Sequence, residues 1–177
     1  TYDKNSVINK DMSKPLVIVE SPTKVKTISK ILGSAYIVKS SVGHIRDLPR
    51  NAKAIPASYS NKDILWGAVK PTNFENIYVI PEDRKAIVKE LKEIADEASD
   101  VYLATDDDRE GEAIAYHLME SLELKSEPKR IKFNEITEAA VTNAINNPET
   151  IDIGKFKSYE ARRTLDRMIG YEISPKV

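Results

Sequence analysis

Three carboxylates at alternate positions, Asp106, Asp108 and Glu110, mark the chemically densest stretch of the sequence, Ala104-Thr-Asp-Asp-Asp-Arg-Glu-Gly-Glu-Ala113. The apolar run Val101-Tyr102-Leu103 precedes it, and a helix is predicted to begin at Gly111. Alternate residues of an extended segment point to one side, so these acids can converge while Asp107 and Arg109 point away. Like charges held together resist joint ionisation. A hard, oxygen-seeking cation such as Mg²⁺ removes that cost. The same run also fits a solvated acidic turn. The strand before it and the Arg109-Glu110-Gly111-Glu112 continuation set it apart.

A fourth acid, Glu20, closes the aliphatic run Leu16-Val17-Ile18-Val19. In open parallel sheets, ligands bind beyond the carboxyl ends of the strands. If the strand ending at Glu20 neighbours the one ending at Thr105, all four carboxylates share a cleft. Glu20 then suits a general acid/base or a metal ligand; alone, it reads as a solvated cap or ion-pair partner. Lys24 lies close enough in sequence to reach a phosphate held there, or it is an ordinary helical lysine. In Ser40-Ser-Val-Gly-His44 the imidazole can hydrogen-bond a phosphate or a base, or serve structurally. Near the carboxyl end, Arg163, Arg167 and Tyr171 fall at i, i+4 and i+8, one stripe of a helix that continues past Gly170. Guanidinium planes and a phenol ring at that spacing can stack on unpaired bases. Arg162 and Asp166 sit beside them at the same spacing; a salt-bridged exposed helix fits the pattern too.

Elements must position these groups. The unbroken aliphatics of Leu16–Glu20 predict a buried parallel strand. Ser21 and Pro22 suit a helix start, Val25, Ile28, Ile31 and Leu32 its apolar face, and Gly33 its end. Strands are predicted at 36–41, 77–80 and 101–105, with a further short one at Ile131 and Phe133. Helices are predicted from Pro81, over 111–122, from a Thr137 cap to Asn146, and over 152–169. Residues 50–76 lose all periodicity and read as a long surface excursion. Strands alternating with helices imply an α/β fold with a mostly parallel sheet covered on both faces.

The chain of 177 residues, 41% hydrophobic and 31% charged, suits one domain, or one domain and the start of another. It has no cysteine, which excludes disulfides and cysteine-ligated zinc within it. Its longest aliphatic run, Leu16–Val19, is too short to span a bilayer, and no basic-then-apolar leader precedes it. The net charge of −1 conceals segregation. Residues 14–50 carry seven Lys/Arg against two acids, residues 81–127 six against fifteen, and residues 154–177 six against three. Basic segments flanking an acidic one suit a phosphodiester held at a metal centre.

Five separated blocks resemble the amino-terminal part of type IA DNA topoisomerases, most closely the bacterial topoisomerase I group. They are Leu16–Lys24, Ser40–Pro49, Ala104–Ala113, Phe133-Asn-Glu-Ile-Thr137, and Ala161–Arg167 with Gly170-Tyr171. The resemblance implies a Toprim-type, mostly parallel four-stranded sheet flanked by helices over 14–147. A polar tail (1–13) precedes it, and the first helix of a helical DNA-binding domain (148–177) follows. It further implies that Glu20 handles the proton of a 3′-hydroxyl, that Asp106, Asp108 and Glu110 (with Glu20) hold Mg²⁺, and that Lys24 and Arg109 steady a phosphate. His44, Arg162, Arg163, Asp166, Arg167 and Tyr171 match positions that contact DNA. The implied partners are single-stranded regions and negatively supercoiled duplex in the cytoplasm, at the nucleoid, with no membrane. The family's nucleophilic tyrosine is expected beyond Val177, on the rest of the polypeptide, since none of the eight tyrosines present has its context. This chain alone is therefore expected not to cleave DNA. Tyr116 stands where many relatives carry tryptophan, and Glu160 where an uncharged residue is common. A Toprim nuclease or primase-like enzyme using the same acids is the alternative, and a noncatalytic DNA-binding module a third reading.

Overall fold

The structure, a computed structural model, describes residues 13–59 and 64–173; the expected tail lies outside them except for Ser13. Four strands, β1 (Leu16–Val19), β2 (Ile37–Ser40), β3 (Val101–Ala104) and β4 (Lys129–Arg130), form one sheet in the order β2-β1-β3-β4. Every pairing is parallel. Five α-helices accompany them: α1 (Pro22–Leu32), α2 (Lys85–Glu97), α3 (Arg109–Leu122), α4 (Glu138–Asn146) and α5 (Ile153–Ile173).

Side chains alternate across the sheet, so the central strands β1 and β3 each feed two cores. Leu16, Ile18, Val101 and Leu103 pack with Leu91 of α2 and with Ile114 and Leu118 of α3. Val17, Val19, Tyr102 and Ala104 pack on the other face with Ile28 of α1 and Ala144 of α4. Burial on both faces explains why β1 and β3 read as unbroken apolar runs. Helix α1 ends where Gly33 takes φ 64°, a left-handed conformation that costs glycine little. The Thr137 hydroxyl accepts from the Ala140 N–H, as a cap should. Ser21 has the extended backbone of a cap but makes no side-chain capping bond.

Two predicted strands move. Ile77–Ile80 is not in the sheet: Val79 instead makes an isolated antiparallel bridge to Asp47. The excursion around it has its own small core of Leu48, Ala68 and Val69, against which Tyr78 packs, while Ile80 packs on the main sheet core. The last strand lies at Lys129–Arg130, with Ile131 extending its ladder through an N–H bond to Leu103 O at 3.0 Å. Helix α3 starts at Arg109 rather than Gly111, and α5 runs through Gly170 to Ile173.

Candidate functional site

Register decides the site. Val19 of β1 pairs with Ala104 of β3, so Glu20 and Thr105-Asp106 leave the sheet side by side. Glu20, Asp106, Asp108, Glu110 and His44 line one cavity of about 450 Å³, floored by Ile114 and closed by Ser21, Pro22, Val42 and Gly43. The four acids and the histidine line it together, although Asp108 has extended backbone and Glu110 does not. Glu110 sits in the first turn of α3.

Each carboxylate has a partner, and Glu20 and Asp106 share theirs. Lys24 Nζ donates to Glu20 Oε1 at 2.7 Å and also to Asp106 Oδ1, bridging the two strand ends. Asp108 turns back and accepts the Gly111 N–H at 2.6 Å, capping α3. Glu110 Oε1 lies 3.2 Å from His44 Nε2. Burial, then the hydrogen bond with Asp106, raise the Glu20 carboxyl above its usual range against the opposing pull of Lys24. Asp106 is held low by its hydrogen bond with Glu20 and by the ammonium. Burial pulls Lys24 down, but its bonds to Asp106 and Glu20 outweigh it and raise the amine. Of the two, the Glu20 carboxyl is shifted towards holding a proton and the Asp106 carboxyl away from it.

The loop between β3 and α3 is tight. A Cβ on Gly111 would overlap the Asp106 backbone carbonyl, so only glycine permits this approach. Beneath it lies Arg130, fully buried, donating to the carbonyls of Leu103 (3.1 Å), Thr105 (2.7 Å), Ile131 (2.9 Å) and Asp106 (2.8 Å). Its Nε donates to Glu112 Oε2 at 3.2 Å, and Glu112 Oε1 accepts the Asp152 N–H at 2.6 Å. Sequence reasoning missed Arg130 entirely. One arginine beside a short β-prone run carries no signal of burial.

Helix α5 lies alongside α3, where Phe156 stacks on Tyr116 with ring centroids 3.8 Å apart. Lys155 reaches Asp107 at 2.7 Å, tying the acidic loop to the start of α5. Arg163 makes a two-point pair with Asp47 at 3.2 and 2.8 Å, and Arg167 donates to Pro49 O at 2.8 Å. The predicted stripe therefore meets Asp47, Pro49 and Gly67, although Tyr171 stays largely exposed. Arg167 and Tyr171 wall a pocket of about 140 Å³ with Pro49, Ile55, Ile64 and Gly67. Arg109 and Arg162 meet Tyr159 in a cleft of about 300 Å³ next to Asp108 and Glu110. Tyr159 also stacks on His44, with centroids 5.6 Å apart. Glu160 is occupied by the Tyr78 hydroxyl (2.8 Å) and Lys157 (2.8 Å). Asp166 is exposed on α5.

The donor set suits a hard divalent cation, because all four candidates are carboxylates. As placed, no three of the described His, Asp or Glu side chains converge on one ion-sized point.

A parallel sheet whose strand tips carry such an acid cluster is the Toprim architecture, and the chain belongs to the Toprim domain family, matching it over residues 15–136. It is 50% identical over 163 residues to DNA topoisomerase 1 of Mycolicibacterium smegmatis, covering 90% of this chain and 17% of that protein. DNA topoisomerase 1 of a Synechocystis species is 47% identical over 167 residues, covering 93% of this chain and 18% of that protein. Full-length topoisomerase I from Thermotoga maritima matches in structure with a TM-score of 0.78 at 38% identity, over 90% of this chain and 25% of that one. The chain thus spans less than a fifth of the length of the curated relatives it matches. No described helix is long and apolar enough to cross a membrane.

Proposed function

We propose that this chain is the amino-terminal, metal-binding part of a type IA DNA topoisomerase, which relaxes negatively supercoiled DNA through a transient break in one strand. The observation that carries the reading is the meeting of Glu20 and Asp106 across adjacent strand tips, in one cavity with Asp108, Glu110 and His44. A tyrosine supplied by the rest of the polypeptide attacks a backbone phosphorus, forming a 5′-phosphotyrosine bond as the 3′-oxygen leaves. Glu20 gives a proton to that oxygen and recovers it when the hydroxyl attacks back, while the tyrosine releases its own proton to water on attack and regains one on leaving. One ester replaces another at each step, so no ATP is consumed. Asp106, Asp108 and Glu110, with Glu20, would hold Mg²⁺, which neutralises phosphate charge when bound. Lys24 and Arg109 balance the charge on the scissile phosphate. His44 and Arg162 beside the acidic loop, and Arg163, Asp166, Arg167 and Tyr171 further along α5, contact a single strand. The enzyme works in the cytoplasm, at the nucleoid.

The test is plasmid relaxation by the full-length polypeptide. Glu20→Gln should slow it by roughly 10²-fold or more, the scale of general acid catalysis. Undiminished relaxation would remove the role given to Glu20. Release of free-ended strands by the 177-residue chain alone with Mg²⁺ would identify a nuclease instead.

A further inference from the structure

Lys24 holds the point where Glu20 and Asp106 face each other. Its ammonium lies 2.7 Å from Glu20 Oε1 and bonds Asp106 Oδ1, with 23% of the side chain exposed. Among the described residues, no other ammonium or guanidinium pairs with either carboxylate. We propose that Lys24 is a resident counter-cation that exchanges with the divalent metal, competing for the same two carboxylates until a metal displaces it towards a phosphate in the cleft. This rests on the metal reading above.

Three features support the exchange. A dication coordinated by the facing oxygens of Glu20 and Asp106 would lie only a few ångströms from the ammonium, where like charges repel strongly at the effective dielectric of a protein cleft. The lysine stem is flexible and extends from the first turns of α1, so the ammonium can leave without moving backbone. Asp108 and Glu110 are engaged with Gly111 and His44, which leaves the Lys24 pair as the charge-neutralising contact at the strand tips. Exchange makes metal and phosphate binding mutually favourable: a phosphate that engages Lys24 frees the carboxylates, and a metal that takes the carboxylates frees Lys24. Such coupling is reciprocal.

Calorimetric titration of the full 177-residue chain with Mg²⁺ and Mn²⁺ tests the inference. Lys24→Met should bind both ions about tenfold or more tightly than the natural chain, because a positive charge beside the site is gone. Lys24→Arg, which keeps that charge, should bind like the natural chain. Tighter binding in Lys24→Met, or binding detectable only there, supports exchange. Unchanged or weaker binding overturns it while leaving the metal site intact. Absence of binding in all three proteins removes the metal reading and the inference with it. A second measurement covers a Lys24→Met protein that does not fold: the ¹⁵Nζ resonance of Lys24 in the natural chain should shift in step with Mg²⁺ saturation. A resonance that stays fixed while Mg²⁺ binds would overturn the proposal.

Discussion

Helix α3 carries exposed polar groups at its start and buried ones on its inner side, and the two sets are treated in opposite ways. At the start, Asp108 and Glu110 are exposed and hold their contacts at the rim of a cavity. On the inner side of that same first turn Glu112 is 0% exposed, and about two turns into the helix His117 is 1% exposed, each fixed by an arginine from a distant segment. Arg130 holds Glu112, and Arg46 Nε donates to His117 Nδ1 at 3.0 Å. Backbone carbonyls at the end of a strand lose their ladder partners and must find donors elsewhere. Arg130 supplies four carbonyls at once, which stiffens the stem of the acidic loop. The contrast separates two tasks. Buried charges fix where the carboxylates stand, while the exposed ones keep partners that can be exchanged.

The largest effect expected from breaking this division comes from Arg130→Met. It strips the carbonyls of their donor and leaves the buried Glu112 to the Lys132 ammonium, 3.8 Å away, and breaking such a buried pair typically costs about 3–5 kcal/mol. Urea denaturation measures it, and adding Glu112→Leu should recover part of the loss. A loss no greater than that of an average surface substitution would mean the cluster does not anchor the loop. Next comes pH. Burial first, then the charge of Arg46, lower His117 from 6.5 to about 3. The folded chain therefore keeps the imidazole neutral while the unfolded chain binds a proton. The stability this provides is complete above about pH 6.5 and is lost as pH falls towards 3. Between pH 6.5 and 4 the decline should be about 3 kcal/mol, and His117→Asn should flatten it in chemical denaturation at stepped pH. An unflattened slope would assign the acid sensitivity to other groups. The smallest effect sharpens the comparison from the exposed side. Lys155→Ala, which removes the surface pair with Asp107, should leave the urea midpoint unchanged within error. A clear shift would show that the loop is held from outside as well as from beneath.

Much of the architecture was legible from residue pattern. Leu16–Val19 and Val101–Ala104 are apolar at every position, which only burial on both faces explains, and both are central strands. Gly33 and Thr137 bound their helices because the backbone demands of an end are local. Ile77–Ile80 misled for the opposite reason. Its apolar residues divide between surfaces, Tyr78 packing on the local cluster of Ala68 and Leu48 and Ile80 on the main core, and pattern alone cannot say which hydrophobic surface a short run will meet. The first turn of α3 was read two residues late because Asp108 looks like a member of an extended acidic row. Its role as a cap emerges only once the Gly111 N–H is placed 2.6 Å from its carboxylate.

By itself the sequence determined the chemistry available: four carboxylates, a lysine and a histidine at the ends of strands, and a basic helix after them. Residue type and local periodicity suffice for that, since both are short-range properties. Only the tertiary structure decided which groups meet. The parallel register of β1 and β3 places Glu20 beside Asp106, across 86 positions of chain. Packing alone buries Arg130 under the loop and turns Arg163 and Arg167 towards the 47–67 segment. Such pairings depend on which surfaces touch, and no span of neighbouring residues contains that information.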